Sequence, residues 1–223
     1  MNEGWDSVWA LKDEFIQAVQ DTAIMVGVAS SIGIIFGGAL GIWLYLSGDK
    51  QLFQNRALNA SLNWVISFMR AFPFVILMIA LMPVTRAIVG TSFGPFAASV
   101  ALSLAAIFYF ARLMEQNLNE VPRGVIEAAE AMGTPPRQII TKVLLNETRS
   151  GIALSITMLI IAVLGESAAA GLIGGGGIGD LGIRYGHQRY MPEVMYAVLI
   201  LLTAIVIVIQ TTGNKVSKAL NKR

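Results

Sequence analysis

Five stretches of this chain are apolar for close to twenty residues at a time, and that length leaves few folds open. They run over 22–46, 64–82, 96–114, 150–170 and 194–212. The hydrocarbon core of a bilayer takes about 20 apolar residues of α-helix to cross. Inside it no water satisfies a backbone amide, so each segment must close its hydrogen bonds within itself as helix. The expected fold class is an all-α integral membrane domain of five transmembrane helices. Composition agrees: 55% of the residues are hydrophobic and only 13% charged, too apolar for an ordinary soluble domain.

The same composition excludes several functions. With no cysteine there is neither disulfide nor thiolate metal site, and a single histidine, His187, leaves little to build a metal or catalytic cluster. A membrane enzyme would have to draw on Glu166, Asp180 and His187, whose spacing supports no catalytic arrangement. A net charge of +2 gives no footing for nucleic acid.

The distribution of that charge is more informative, because Lys and Arg collect on the cytoplasmic side of membrane proteins. With the loop between spans three and four inside, twelve basic residues fall inside: Lys50, Arg56, Arg70, Arg112, Arg123, Arg137, Lys142, Arg149, Lys215, Lys218, Lys222 and Arg223. Four fall outside: Lys12, Arg86, Arg184 and Arg189. The N-terminus is then outside and the C-terminus, with its basic tail over 213–223, cytoplasmic. The opening segment does not read as a cleaved signal, since acids rather than bases precede a run longer than a signal core. Within 1–20, Trp5, Val8, Trp9, Phe15, Ile16 and Val19 recur at helical spacing, as in a helix lying in the membrane interface.

Two spans carry breaks in their apolar character that imply packing. In the first, Gly33, Gly37 and Gly41 form a repeated small-xxx-small stripe, which lets two membrane helices approach closely. In the second, Pro73 removes a backbone donor, so the helix is expected to kink just inside the cytoplasmic surface, with Arg70 reaching back to the interface. The many methionines, among them Met25, Met69, Met78, Met82 and Met158, read as filler of a membrane core.

Between the third and fourth spans lies a polar segment, 123–147, of a different kind. A helix starting after Pro122 carries Glu127, Ala128, Ala129, Glu130, Ala131 and Met132, with Gly133 and Pro135-Pro136 ending it sharply. Its acids stand where the positive end of the helix macrodipole favours them. Small residues among charges let another surface approach the backbone. A second helical stretch leads into the fourth span through Val143, Leu144 and Leu145.

This segment resembles the cytoplasmic coupling loop of ABC importer permeases: Glu-Ala-Ala, a glycine at fixed distance, then an aliphatic pair ending in Leu-Pro. Here Glu127-Ala128-Ala129 and Gly133 are kept, while Asn146 stands where the family has proline. The resemblance implies that Glu127, Ala128, Ala129, Ala131, Met132 and Gly133 dock in a groove of a cytoplasmic ATPase. Further motifs narrow it to the methionine importer permeases: Pro73-Phe74, the run from Thr85 to Gly90, Lys142 to Leu145, and the glycine-rich turn with Gly179-Asp180 and Tyr185-Gly186 to Tyr190. The likeness extends over about 20–212.

Two further groups of residues are expected to act on the transport pathway. Gly174, Gly175, Gly176, Gly177 and Asp180 form an outer connection that gates it; a phosphate loop is excluded because no Gly-Lys-Ser/Thr follows. Glu166 lies about 24 Å along the fourth span, in the outer part of the membrane core. A carboxylate at the centre of a span costs about 2.5–3.5 kcal/mol to insert, so an acid within one points to function. It either faces the pathway and meets a substrate ammonium, or sits at the outer interface, hydrated or paired with Arg184 or Arg189.

The resemblance thus implies a multi-pass permease of the bacterial inner membrane, not an enzyme, working as a homodimer by alternating access to import methionine, the L-form first and the D-form as a further candidate. Its expected partners are a second copy of itself, a cytoplasmic ATPase dimer that alone binds ATP and Mg, an extracytoplasmic binding protein or lipoprotein, and lipid. Another small amino acid or peptide as substrate, or an uncoupled scaffold or channel, are the alternatives.

Overall fold

A computed structural model describes residues 8–49 and 51–221. Trp5 of the N-terminal stripe, and Lys50, Lys222 and Arg223 of the charge count, lie outside the described residues. Every regular element among the described residues is helical, and four helices are long and apolar enough to cross a membrane. They are α1 (Lys12–Leu46), α5 (Pro95–Asn119), α8 (Arg149–Gly171) and α10 (Pro192–Leu220). A fifth candidate is the pair α2 (Arg56–Arg70) and α3 (Phe74–Ala80), which meet at 96°. Shorter helices follow between them: α4 (Met82–Val89), α6 (Arg123–Ala131), a stretch over 136–147 here numbered α7, and α9 (Gly177–Leu181), which continues as a widened turn over Gly182–His187.

The glycine stripe of α1 finds its partner within the chain. A Cβ at Gly33 would stand 2.8 Å from the Ala106 Cβ, while at Gly37 and Gly41 it would run into the carbonyl oxygens of Ile107 and Ala111. Contacts advance in the same direction on both helices, so α1 and α5 run parallel and nearly backbone to backbone. The turn over Gly33–Gly37 is widened to a π-helix, which absorbs the crowding. Met25, Ala29, Ala98, Ala101, Leu102, Ala106 and Phe110 form the core along this seam.

α8 runs antiparallel to α5 and is tied to it by a buried hydrogen bond, Asn117 Nδ2 donating to Ser155 Oγ at 2.7 Å. α10 runs antiparallel to α8, with Ser150 and Ser217 hydroxyls 2.9 Å apart and Gly213 packed on Thr157. It continues as helix to Leu220, so the tail from 213 prolongs the last span.

Two expectations change. Of the N-terminal stripe, residues 8–10 are helical and set off by a turn at Leu11, and from Lys12 the chain runs into the first span as one 35-residue helix. Its Val8, Phe15 and Ala18 pack against Ile178, Leu181 and Val194, while Trp9 and Ile16 remain exposed. The second candidate span is broken between α2 and α3 rather than gently kinked. Proline lacks the N–H that would continue α2, and it pushes the residue before it, Phe72, out of the helical region.

Candidate functional site

α6 sits on the same end of the molecule as the C-termini of α1 and α5. It starts directly after Pro122 and ends at Gly133, whose φ of 71° lies in the left-handed region. Thr134 N–H donates to Ala129 O at 3.1 Å and Gly133 N–H to Glu130 O at 2.9 Å, closing the helix in a Schellman motif. One face of α6 is committed to packing: Ile126 and Ala129 are buried with Tyr45 and Leu46 of α1, Met114 and Leu118 of α5, and Ile139 and Leu144 of α7. The opposite face presents Glu127, Ala128, Ala131, Met132 and Gly133, and Met132 is 78% exposed. Of the six residues expected to dock, five therefore share an open surface, and Ala129 belongs to the packed side. α7 carries this attachment onward, through a widened turn over Ile139–Leu144, and ends at Thr148, whose hydroxyl donates to Leu144 O at 2.8 Å.

A second constellation forms where α2 and α3 meet. α2 has 15 residues, about 22 Å of helix, and ends at Arg70, in one pocket with Ala105 and Tyr109 of α5. Arg70, Met69, Phe74, Leu77, Tyr109 and Glu166 line a pocket of about 190 Å³, closed also by Phe72 and Ala105. Pro73 turns the chain aside after Arg70, which is exposed and lines the same pocket as Glu166 of the fourth span. Glu166 is half-buried. Neither the Arg70 nor the Glu166 side chain has a hydrogen bond or ion pair among the described residues. The aromatic and aliphatic lining had no signal in the sequence beyond Pro73 and one acid in an apolar run.

The alternative pairing of Glu166 with an outer arginine is not realised. Arg184 instead reaches Asp180 at 3.0 Å and Glu14 at 3.3 Å, and Arg189 lies over the Tyr185 ring, 4.4 Å from its centroid. The glycine connection after α8 is tightly turned. Gly174, Gly176 and Gly177 have φ of 85°, 76° and 83°, and Gly175 packs on Ala170 and Ala98. Gly94 N–H donates to Gly174 O at 2.8 Å, and Ile178 N–H to the Thr22 hydroxyl at 2.9 Å, so the turn is fastened to both α5 and α1.

Residues 29–223 match the family described as binding-protein-dependent transport system inner membrane component. The chain is 41% identical to a probable D-methionine transport system permease protein of Vibrio cholerae over 211 residues, 95% of this chain and 94% of that one. It is 39% identical over 180 residues to a methionine import system permease protein of Bacillus subtilis, 81% of each chain. Among solved structures it resembles a chain of the MetNI methionine ABC transporter in an inward-facing conformation, with a TM-score of 0.94 and 36% identity over 100% of both chains.

Proposed function

The chain belongs to the family of inner membrane components of binding-protein-dependent transport systems, and on that premise we propose that it is the permease subunit of an ATP-driven importer of methionine. It is a multi-pass inner-membrane transporter subunit, not an enzyme. Two copies would enclose the pathway. ATP and Mg belong to a separate ATPase, and a binding protein would deliver substrate from outside. The 21–212 region acts as the transmembrane unit and 123–147 as its coupling segment.

The observation that carries this is the two-sidedness of α6. Its buried face, Ile126 and Ala129, is keyed into the ends of α1 and α5, so force applied to its open face reaches both helices through packed side chains. Small residues at Ala128 and Ala131 admit a groove wall, and Glu127 and Glu130 fix register by charge. Closure of the ATPase pair would push on this lever and rock the helices between outward and inward access. At the far end, the turn carrying Gly174, Gly175, Gly176, Gly177 and Asp180 is fastened to α1, which suits an outer gate that moves with that helix.

The direction of the helices supports five crossings. Because α1 and α5 are parallel, the chain between Leu46 and Pro95 must return across the membrane, and the bent pair with α4 is what returns it. The termini then lie on opposite sides, and the basic residues near Leu46, Asn119 and Leu220 favour an outer N-terminus and a cytoplasmic C-terminus.

The test is uptake of labelled L-methionine in cells without other methionine importers, with the chain co-expressed with its ATPase and binding protein. Energy-dependent uptake that collapses in Glu127→Arg is the expected result. ATPase co-purification without methionine uptake would discard the substrate and keep the machine; loss of both would favour an uncoupled scaffold or channel.

A further inference from the structure

We propose that the pocket at the α2–α3 elbow is a binding site for a zwitterionic α-amino acid, with Arg70 receiving its carboxylate and Glu166 its ammonium. This rests on the reading of the chain as an amino-acid importer permease and adds where, and by which groups, the solute is held within the membrane.

Three features converge on that chemistry. The pocket brings one cation and one anion to the same space from different elements, α2 and α8, and neither has an ion-pair partner among the described residues. A charge left alone at membrane depth is costly, and the usual resolution is a partner of opposite sign. A zwitterionic α-amino acid carries both missing partners on one α-carbon. A simple amine would leave Arg70 alone, and a simple carboxylate would leave Glu166 alone.

The rest of the lining defines the side chain. Met69, Phe74 and Leu77 are apolar, and Tyr109 adds a ring with a single hydroxyl. A flexible thioether packs well against such rings, each sulfur–aromatic contact contributing about 0.3–1.5 kcal/mol. A second charge on the solute would find no counter-charge here. At about 190 Å³ the pocket is smaller than the roughly 300–1,000 Å³ that drug-sized ligands occupy, a size that suits one amino acid.

The elbow makes this site responsive to transport. Arg70 is the last residue of α2 and Phe74 the first of α3, so a change in the 96° angle between these helices moves Arg70 relative to Glu166 on α8. Widening would weaken the two-point hold and release the solute.

The experiment uses the complete permease–ATPase complex in lipid nanodiscs without binding protein, and measures binding of labelled methionine. On the unmutated complex, methionine methyl ester (ammonium only) and the desamino acid (carboxylate only) compete at least tenfold more weakly than methionine. Arg70→Gln weakens methionine at least tenfold but leaves the methyl ester as it was; Glu166→Gln does the converse with the desamino acid. Equal competition by all three compounds, or loss of all three alike in variants that still assemble with the ATPase, overturns the proposal. Analogue competition on the native complex decides the matter even where a variant fails to assemble. Wild-type uptake of methionine together with unselective binding sinks the site alone. A complex that binds and carries leucine but not methionine retains the zwitterion site and removes the assigned substrate.

Discussion

Gly133 combines two properties that are separable by mutation. Its φ of 71° closes α6, and an added Cβ would meet nothing within 4 Å. An L-residue held in the left-handed helical region costs roughly 1–2 kcal/mol, less for Asn, which visits that region more readily. The backbone requirement therefore predicts that Gly133→Asn supports near-normal methionine uptake, while β-branched Gly133→Val lowers it several-fold by fraying the last turn. Gly133→Trp fills the open space a docking partner would use, and should abolish uptake with the protein still inserted. Equal impairment by Asn and Val would remove the backbone argument and leave only steric access. The sequence made this glycine legible as a helix end, because it stands four residues beyond Ala129 and before two prolines. Its left-handed conformation and the inward turn of Ala129 were not legible, since both depend on where α1 and α5 end. Arg70 shows the same limit more sharply. An arginine at the edge of an apolar run reads as an interface anchor, and only the right-angled elbow after it shows that it shares a pocket with Glu166.

Among the elements, the long helices were plain from hydropathy alone, because lipid imposes length and leaves only helix. What hydropathy does not encode is how helices pair. The glycine stripe announced a close approach, and the structure supplies the partner, α5, and the sense, parallel. The seam also gives a sharp contrast between two glycines of the same helix. A Cβ at Gly37 runs into the Ile107 carbonyl, whereas at Gly27 it meets nothing within 4 Å. Gly37→Ala should destabilise the protein by about 1–3 kcal/mol through overpacking. Gly27→Ala should be neutral or slightly stabilising, since Ala has the better helix propensity by about 1 kcal/mol. Thermal unfolding in detergent, followed by aggregation of the purified complex, distinguishes them; equal midpoints would mean that α1 slides freely on α5. The widened turns over Gly33–Gly37 and Ile139–Leu144 had no sequence signature. They arise where packing pulls a helix off its ideal register, which is a tertiary effect.

For the whole molecule, pairwise helix directions impose a topology that no single element carries. α1 and α5 are parallel, α5 and α8 antiparallel, and α8 and α10 antiparallel, so Leu46, Asn119, Arg149 and Leu220 all lie toward one face. That face also holds Arg56, Arg123, Arg137, Lys142, Lys215 and Lys218, as the positive-inside tendency requires of a cytoplasmic side. The asymmetry holds with or without Arg70 in the inside count. The bent pair decides the number of crossings: a re-entrant pair would put residues 54 and 91 on the same side, a broken span on opposite sides. Because the chain has no cysteine, each introduced thiol reports alone. In intact cells a membrane-impermeant maleimide should label Thr91→Cys and Gln188→Cys at once. Gln54→Cys and Gln138→Cys should react only after permeabilisation. Labelling of Gln54→Cys and Thr91→Cys from the same side would make the elbow a re-entrant hairpin, and it would also contradict the parallel seam. That contradiction is what gives the measurement its force, since α1 cannot lie parallel to α5 unless the chain between them has crossed back.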